Sequence, residues 1–288
     1  MSFLYNNWYV CIVMYLVCGA IWTQVFNHIA KNARDDEAAT ILFELFAGVA
    51  SLAFSWTLPF IWPTDPWIIF ITVVVTFFYA LVDRYNTKAL VGIQPSTFSI
   101  MNQITTAFMT LAGFIIFKEA LVWGKLLGAV LILAANVFMF YEKGTFTYNK
   151  YVGYGLISAV MVTIATFIDV SISDAYNLFI YIAICVGGTG IINSAISRIK
   201  LSRLKDELKN SGWVLLAVNG SCMAAMVMFM LRAYQLGDAS ATAPLLASSV
   251  VVNVITSYFV AKDRENIPKK IFCACVILAS VLLITFAK

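Results

Sequence analysis

Five ionisable side chains interrupt long apolar runs: Glu44, Asp83, Arg84, Asp169 and Arg232. At the centre of a membrane helix such a group costs about 2.5–3.5 kcal/mol or more, so it faces a cavity, a partner or the headgroups. Asp83, Arg84, Asp169 and Arg232 fall within a turn or two of the ends of their runs. There snorkelling makes a charge cheap; a substrate or coupling role is the other reading. Glu44 lies about two turns inside its run, so it must face protein or water. In a cavity, its carboxylate would favour a cationic or zwitterionic substrate or carry a coupling proton. Arg84 could instead neutralise it.

A second set is neutral. Trp22, Gln24 and Asn27 fall in the first apolar run, Tyr79 in the third, and Asn102, Gln103, Thr105 and Thr106 in the fourth. Thr163, Asn219, Ser221, Ser248, Ser249 and Asn253 follow. Amides and hydroxyls hydrogen-bond a substrate without the cost of a buried charge, but they also bridge packed helices. For Ser248 and Ser249 helix packing is the leading reading; for the consecutive amides Asn102 and Gln103 it is cavity lining. Pro244 either breaks its helix and frees a carbonyl or makes a benign kink. His28, the one histidine, is placed at the interface by its position near the end of a run. The six cysteines have no metal-site spacing and read as small buried hydrophobes. No HExxH, aspartate-rich cluster or GxxxxGK[ST] loop is present. This argues against a membrane enzyme and against ATP as the energy source.

The elements that must position these groups are membrane helices. Of 288 residues, 61% are hydrophobic and 12% charged, against roughly 25% charged in soluble domains. A spanning helix takes about 20 mostly apolar residues. Ten segments qualify: 8–29, 38–57, 67–86, 95–117, 121–141, 151–172, 177–197, 212–233, 239–260 and 267–286. Trp8, Trp56, Trp62, Trp67, Trp123, Tyr141, Tyr151 and Trp213 gather at their ends as an interfacial belt. The first run follows no basic stretch or small-residue cleavage site and is expected to stay as a helix. Residues 198–210 read as a solvated connector with mixed charge.

The sequence also repeats. Residues 92–135 align with 237–279: Gly92 on Gly237, Thr97 on Thr242, Lys118–Glu119 on Lys262–Asp263, Lys125 on Lys269. With five helices in each half, 1–146 and 147–288, the halves insert in opposite orientation, as in many secondary transporters. The run Ala89-Leu-Val-Gly-Ile-Gln-Pro-Ser96, then Phe117-Lys-Glu-Ala120 and Gly124-Lys-Leu-Leu-Gly-Ala-Val-Leu-Ile132, resembles the drug/metabolite transporter superfamily, EamA-like branch. Tyr234-Gln-Leu-Gly-Asp-Ala-Ser240 through Lys262-Asp263 resembles the same motif in a second copy. The resemblance covers the whole chain. It implies that helices 1–4 and 6–9 line a central cavity, with helices 5 and 10 peripheral. Glu44 stands where the family often has Arg, and Asn102-Gln103 where it often has Pro, so no substrate is carried over.

Of 19 Lys and Arg, only Lys118, Lys125, Arg232 and Lys288 fall on the side of the termini. The positive-inside rule then puts both termini outside, whereas the family habit is termini inside. The sequence is thus read as an all-α integral membrane protein of two inverted five-helix repeats. Its expected function is secondary transport or export of a small polar metabolite (an amino acid, amine or similar) by alternating access. The alternative is a non-transporting scaffold or a subunit of a flippase for lipid-linked substrates. The expected cavity residues are Trp22, Gln24, Glu44, Tyr79, Asn102, Gln103, Thr163, Asn219, Ser249 and Asn253. Glu44, Asp83, Arg84, Asp169 and Arg232 are the charge candidates. No enzyme activity, cofactor, metal or nucleic acid is expected. The expected partners are a small-molecule substrate, the bilayer, and a proton or other ion. The chain is expected as a monomer or homodimer, in the plasma (inner) membrane.

Overall fold

The computed structural model describes residues 5–115, 122–142, 145–146, 149–260, 262 and 265–286. Lys118, Glu119, Asp263 and Lys288 lie outside the described residues, as do the side chains of Lys125 and Pro244.

Polar caps start the helices. Asn7 Oδ1 accepts from the Val10 amide ahead of α1 (Trp8–Asn32), and Asp35 Oδ1 from Ala38 ahead of α2 (Asp36–Phe54). Asp65 Oδ1 accepts from Trp67 ahead of α3 (Pro66–Gly92), whose first residue is a proline. Each cap satisfies an amide with no partner inside its helix, and proline needs none there. Next come α4 (Pro95–Ile115) and α5 (Trp123–Phe140). A two-residue antiparallel ladder follows, pairing Tyr141 with Phe146 and Glu142 with Thr145. α6 (Lys150–Ile172) is capped by Asn149. α7 (Leu178–Ser197) is capped by Asn177 and widens into a π-turn over Ala183–Gly187. Residues read as a connector form a helix of their own, α8 (Leu201–Ser211). The buried Glu207 holds it down, accepting from the Arg34 and Asp35 amides at 3.1 Å each. α9 (Trp213–Leu236) leads to α10 (Ala239–Ala247) and α11 (Ser249–Phe259), which break at Ser248 within one expected span. The Ser248 hydroxyl donates to the Leu245 carbonyl at 2.6 Å there. α12 (Ile267–Phe286) closes the chain.

Among the described residues, six helices are long and apolar enough to cross a membrane: α1, α3, α6, α7 and α9, and α2 with the turn to Thr57. Their outer faces are apolar. Val13, Val17 and Ile21 on α1, and Phe70, Val73 and Phe77 on α3, are exposed at helical spacing. Meanwhile Glu44, Asp83 and Asp169 are buried. Apolar outside and polar inside is unstable in water and normal in lipid; this is a multi-pass membrane protein.

α1 packs along α9 and α3 along α6; α2 crosses both α7 and α9, and α3 meets α7. α4 packs on α5, α6, α10 and α11, while α12 packs on α5, α10 and α11. α2 and α7 touch backbone to backbone, where a Cβ added to Gly48 would lie 2.6 Å from the Gly187 Cα. Two further glycines sit under aromatic rings at helix starts. A Cβ on Gly92 would meet Tyr151, and one on Gly237 would meet Trp8 Nε1 at 2.7 Å.

Candidate functional site

A cavity of ≈ 210 Å³ lies among α1, α3, α4, α6, α9, α10 and α11. Each wall is one helical stripe. On α3 it is Tyr79, Val82, Asp83 and Asn86, spaced i, i+3, i+4, i+7. On α4 it runs from Phe98 and Ser99 through Asn102, Gln103 and Thr106 to Met109. α1 gives Tyr15, Trp22 and Thr23, and α11 gives Ser249 and Asn253. α9 gives Met223, Met226, Met230 and Tyr234.

Three lining groups among the described residues have unmet hydrogen-bonding capacity: Trp22 Nε1, a donor, and Asp83 Oδ2 and Asn253 Oδ1, acceptors. Buried polar atoms in proteins are nearly always paired, so an unmet donor and acceptor on one cavity wall are places for a ligand to bind. Gln103 turns back onto its own helix. It donates to the Ser99 carbonyl at 3.3 Å and accepts from Thr106 at 3.1 Å. Asn86 accepts from Ser158 at 2.5 Å, tying α3 to α6.

Several residues expected in the cavity lie elsewhere. Gln24 Nε2 donates to Thr256 and Ser257 at 3.1 and 2.9 Å and joins α1 to α11. Thr163 bonds back to the Ala159 carbonyl at 2.7 Å, leaving Val162 and Thr166 to line the site from α6. Asn219 is wholly buried, off the cavity, with both amide atoms unpartnered. Glu44 is not on the wall either. It points between α2 and α7, its Cβ against Gly190, and its Oε1 accepts from Asn193 at 2.8 Å. Its carboxyl lies against that of Asp83, which does reach the cavity.

Arg84 does not neutralise Glu44. It is one residue beyond Asp83, hence about 100° round the helix, and it pairs with Glu37 at 2.8 Å and Ser197 at 2.9 Å. Asp169 is buried rather than interfacial. It accepts from Tyr79 and Tyr181 at 2.5 Å each, clamping α3, α6 and α7. Arg232 stays at the end near the chain start, bonding the Tyr5 carbonyl at 3.0 Å and Asn6 at 2.8 Å. His28 lies near Asn32 at 3.4 Å. Sequence reasoning missed Asn86 and the methionines. The signal was available: both fall on the stripes that carry Asp83 on α3 and Tyr234 on α9.

A small polar cleft opens at the other end. Asp36, Glu37, Arg84, Lys88 and Asn193 line it. Arg203 on α8 closes over its rim, 2.6 Å from Asp35. Partial burial pushes the Asp35 carboxyl up, but the Arg203 guanidinium and the Ala38 amide outweigh it and hold the group below its ordinary value.

No family model matches the chain, and no curated protein matches it. A solved crystal structure of a protein is similar to it, with a TM-score of 0.65 at 13% identity, covering 95% of this chain and 94% of that one. The likeness runs the length of both chains and is one of fold: this arrangement of helices occurs in a protein of nearly unrelated sequence.

Proposed function

We propose that the protein is a secondary transporter of a small polar metabolite, built from ten spans in two inverted halves, 1–146 and 147–288. The observation that carries the reading is the cavity among seven helices of both halves, with its unmet donor on Trp22 and unmet acceptor on Asn253. Its ≈ 210 Å³ falls below the about 300–1,000 Å³ of pockets for drug-sized ligands. That favours an amino acid, an amine or a molecule of like size. Aromatic rings, thioethers and amides supply contact and direction, and Asp83 supplies the one carboxyl that the described residues place on the wall, which favours a cationic or zwitterionic cargo.

Packing supports the inverted halves. If each helix of the first half is exchanged with its counterpart in the second, α1 on α9 becomes α6 on α3, and α2 on α9 becomes α7 on α3; both pairs exist. The contact of Gly237 with Trp8 becomes that of Gly92 with Tyr151. Site placement near the junction of such repeats is the rule in secondary transporters.

The test is a thermal-shift screen of purified protein against small metabolites, read together with tryptophan fluorescence. A true cargo raises the melting temperature, since a ligand at a hundred times its Kd adds about 2.7 kcal/mol. It also changes the emission of Trp22, a change absent in Trp22→Phe. Accumulation of that cargo in proteoliposomes establishes transport. Stabilising ligands that leave Trp22 emission untouched would place binding elsewhere and overturn the site.

A further inference from the structure

Three buried acceptor oxygens without partners fall where α2, α3 and α7 pack together: Glu44 Oε2, Asp83 Oδ2 and Asn193 Oδ1. Glu44 is 0% exposed, Asp83 3% and Asn193 1%. Glu44 is the hub: its Oε1 accepts from Asn193, and its carboxyl lies against that of Asp83. Two carboxylates in contact, both ionised, repel by about 4 kcal/mol even at an effective dielectric constant of 20. Neither can donate to the other. One proton on the pair removes the repulsion and turns one carboxyl into a donor, so the two unmet oxygens satisfy each other.

Among the described residues no ion pair joins a cation to Glu44 or Asp83; Lys88, which lines the cleft with Asn193, has its Nζ over the Tyr154 ring, 5.9 Å from the centroid. Arg84 and Glu37 pair with each other, and Arg203 pairs with Asp35 and Glu37. On the other packed elements, Asp169 is held by Tyr79 and Tyr181, and Glu207 by backbone amides. Lys31 bonds Gln94, His28 sits by Asn32, and Arg232 is at the far end of α9 with Asn6. α7 turns uncharged groups to the pair, Thr189 and Asn193.

The pair also stands between two spaces. Asp83 lines the cavity, and Asn193 lines the cleft beside Glu37 and Arg84. Resting on the transport reading above, we propose that Glu44 and Asp83 form a binding site for one proton, exchanged with water through the Asn193 cleft and displaced when a cationic group of the cargo reaches Asp83. The step balances: the cargo's positive charge replaces the proton's, and the proton leaves to bulk water by way of the cleft. Cargo and proton then alternate on one site, which is the logic of exchange.

Infrared difference spectroscopy of the purified full-length protein tests this directly. The carbonyl stretch of a protonated carboxyl persists at neutral pH in the wild type, shifts or is lost in Glu44→Gln and in Asp83→Asn, and is lost in the double variant. Both substitutions are near-isosteric, and circular dichroism checks that each variant folds. An equimolar mixture of the common amino acids and small amines should displace the band and release protons into a weakly buffered solution. A wild type without the band overturns the site, as does a band indifferent to both substitutions. Loss of the band in sodium chloride but not in choline chloride overturns it in favour of a metal cation. A band that the mixture leaves in place overturns the displacement. Failure of the transport reading looks different: the band is intact, and no metabolite shifts the melting temperature.

Discussion

At the scale of single residues, the polar side chains divide by whether their hydrogen bonds are met. Asn177 makes use of every atom of its amide. Its Nδ2 lies 2.9–3.0 Å from the carbonyls of Ser55, Leu58 and Pro59, and its Oδ1 accepts from the Phe179 and Ile180 amides. It thereby caps α7 and ties that start to the turn after α2. Asn177→Ala removes the cap, at about 1 kcal/mol, and the hydrogen bonds to partly buried carbonyls, at about 0.5–1.5 kcal/mol each. A chemical-denaturation series should show a loss on the order of 2–4 kcal/mol. Asn177→Asp should recover the cap alone. Trp22 and Asn253 are the opposite case, each with an unmet atom on the cavity wall. Asn177 builds the scaffold, and on the transport reading Trp22 and Asn253 meet the cargo. The sequence does not distinguish the two kinds, because Asn177 and Asn253 are the same residue type in similarly apolar surroundings.

At the scale of helices, the apolar runs were legible and the crossings were not. A run of about 20 apolar residues announces a span by itself. The stripe Tyr79, Val82, Asp83 and Asn86 could be read from spacing alone. The partner of a stripe depends on which helix lies opposite. Hence Glu44, placed in the cavity by its depth in α2, proved to face α7 and Asp83, 39 positions away in sequence. In the same way, the mixed charges of 198–210 concealed α8, because its one anchor, Glu207, binds backbone amides 172 and 173 positions away. The crossing of α2 and α7 can be tested. Alanine for glycine in a helix normally gains about 0.5–1 kcal/mol. Gly48→Ala should instead cost about 1–3 kcal/mol, the range for overpacking, because its Cβ meets Gly187 backbone at 2.6 Å. Gly19→Ala is the control: its Cβ meets only the flexible Met226 thioether at 3.2 Å, and its melting temperature should stay near the wild-type value.

At the scale of the whole molecule, the two ends differ in charge. One carries Lys31, Arg34, Arg84, Lys88 and the basic residues of α8; at the other, Arg232 meets the chain start. With the basic end held in the cytoplasm, a reporter active only in the cytoplasm should stay silent when fused after Lys288. A bright signal would reverse the orientation. The backbone contact of Gly48 with Gly187 has a mechanical consequence for either orientation. No side chain is interleaved there, so one helix can tilt on the other without any rotamer having to disengage. The contact is a fulcrum near the middle of α7 and two thirds of the way along α2. α2 runs from Asp36 to Phe54, so at 1.5 Å per residue its arms on either side of Gly48 are about 18 Å and about 9 Å long. A few degrees of tilt spread the two helices on one side of the contact and close them on the other, with about twice the travel at the Asp36 end of α2.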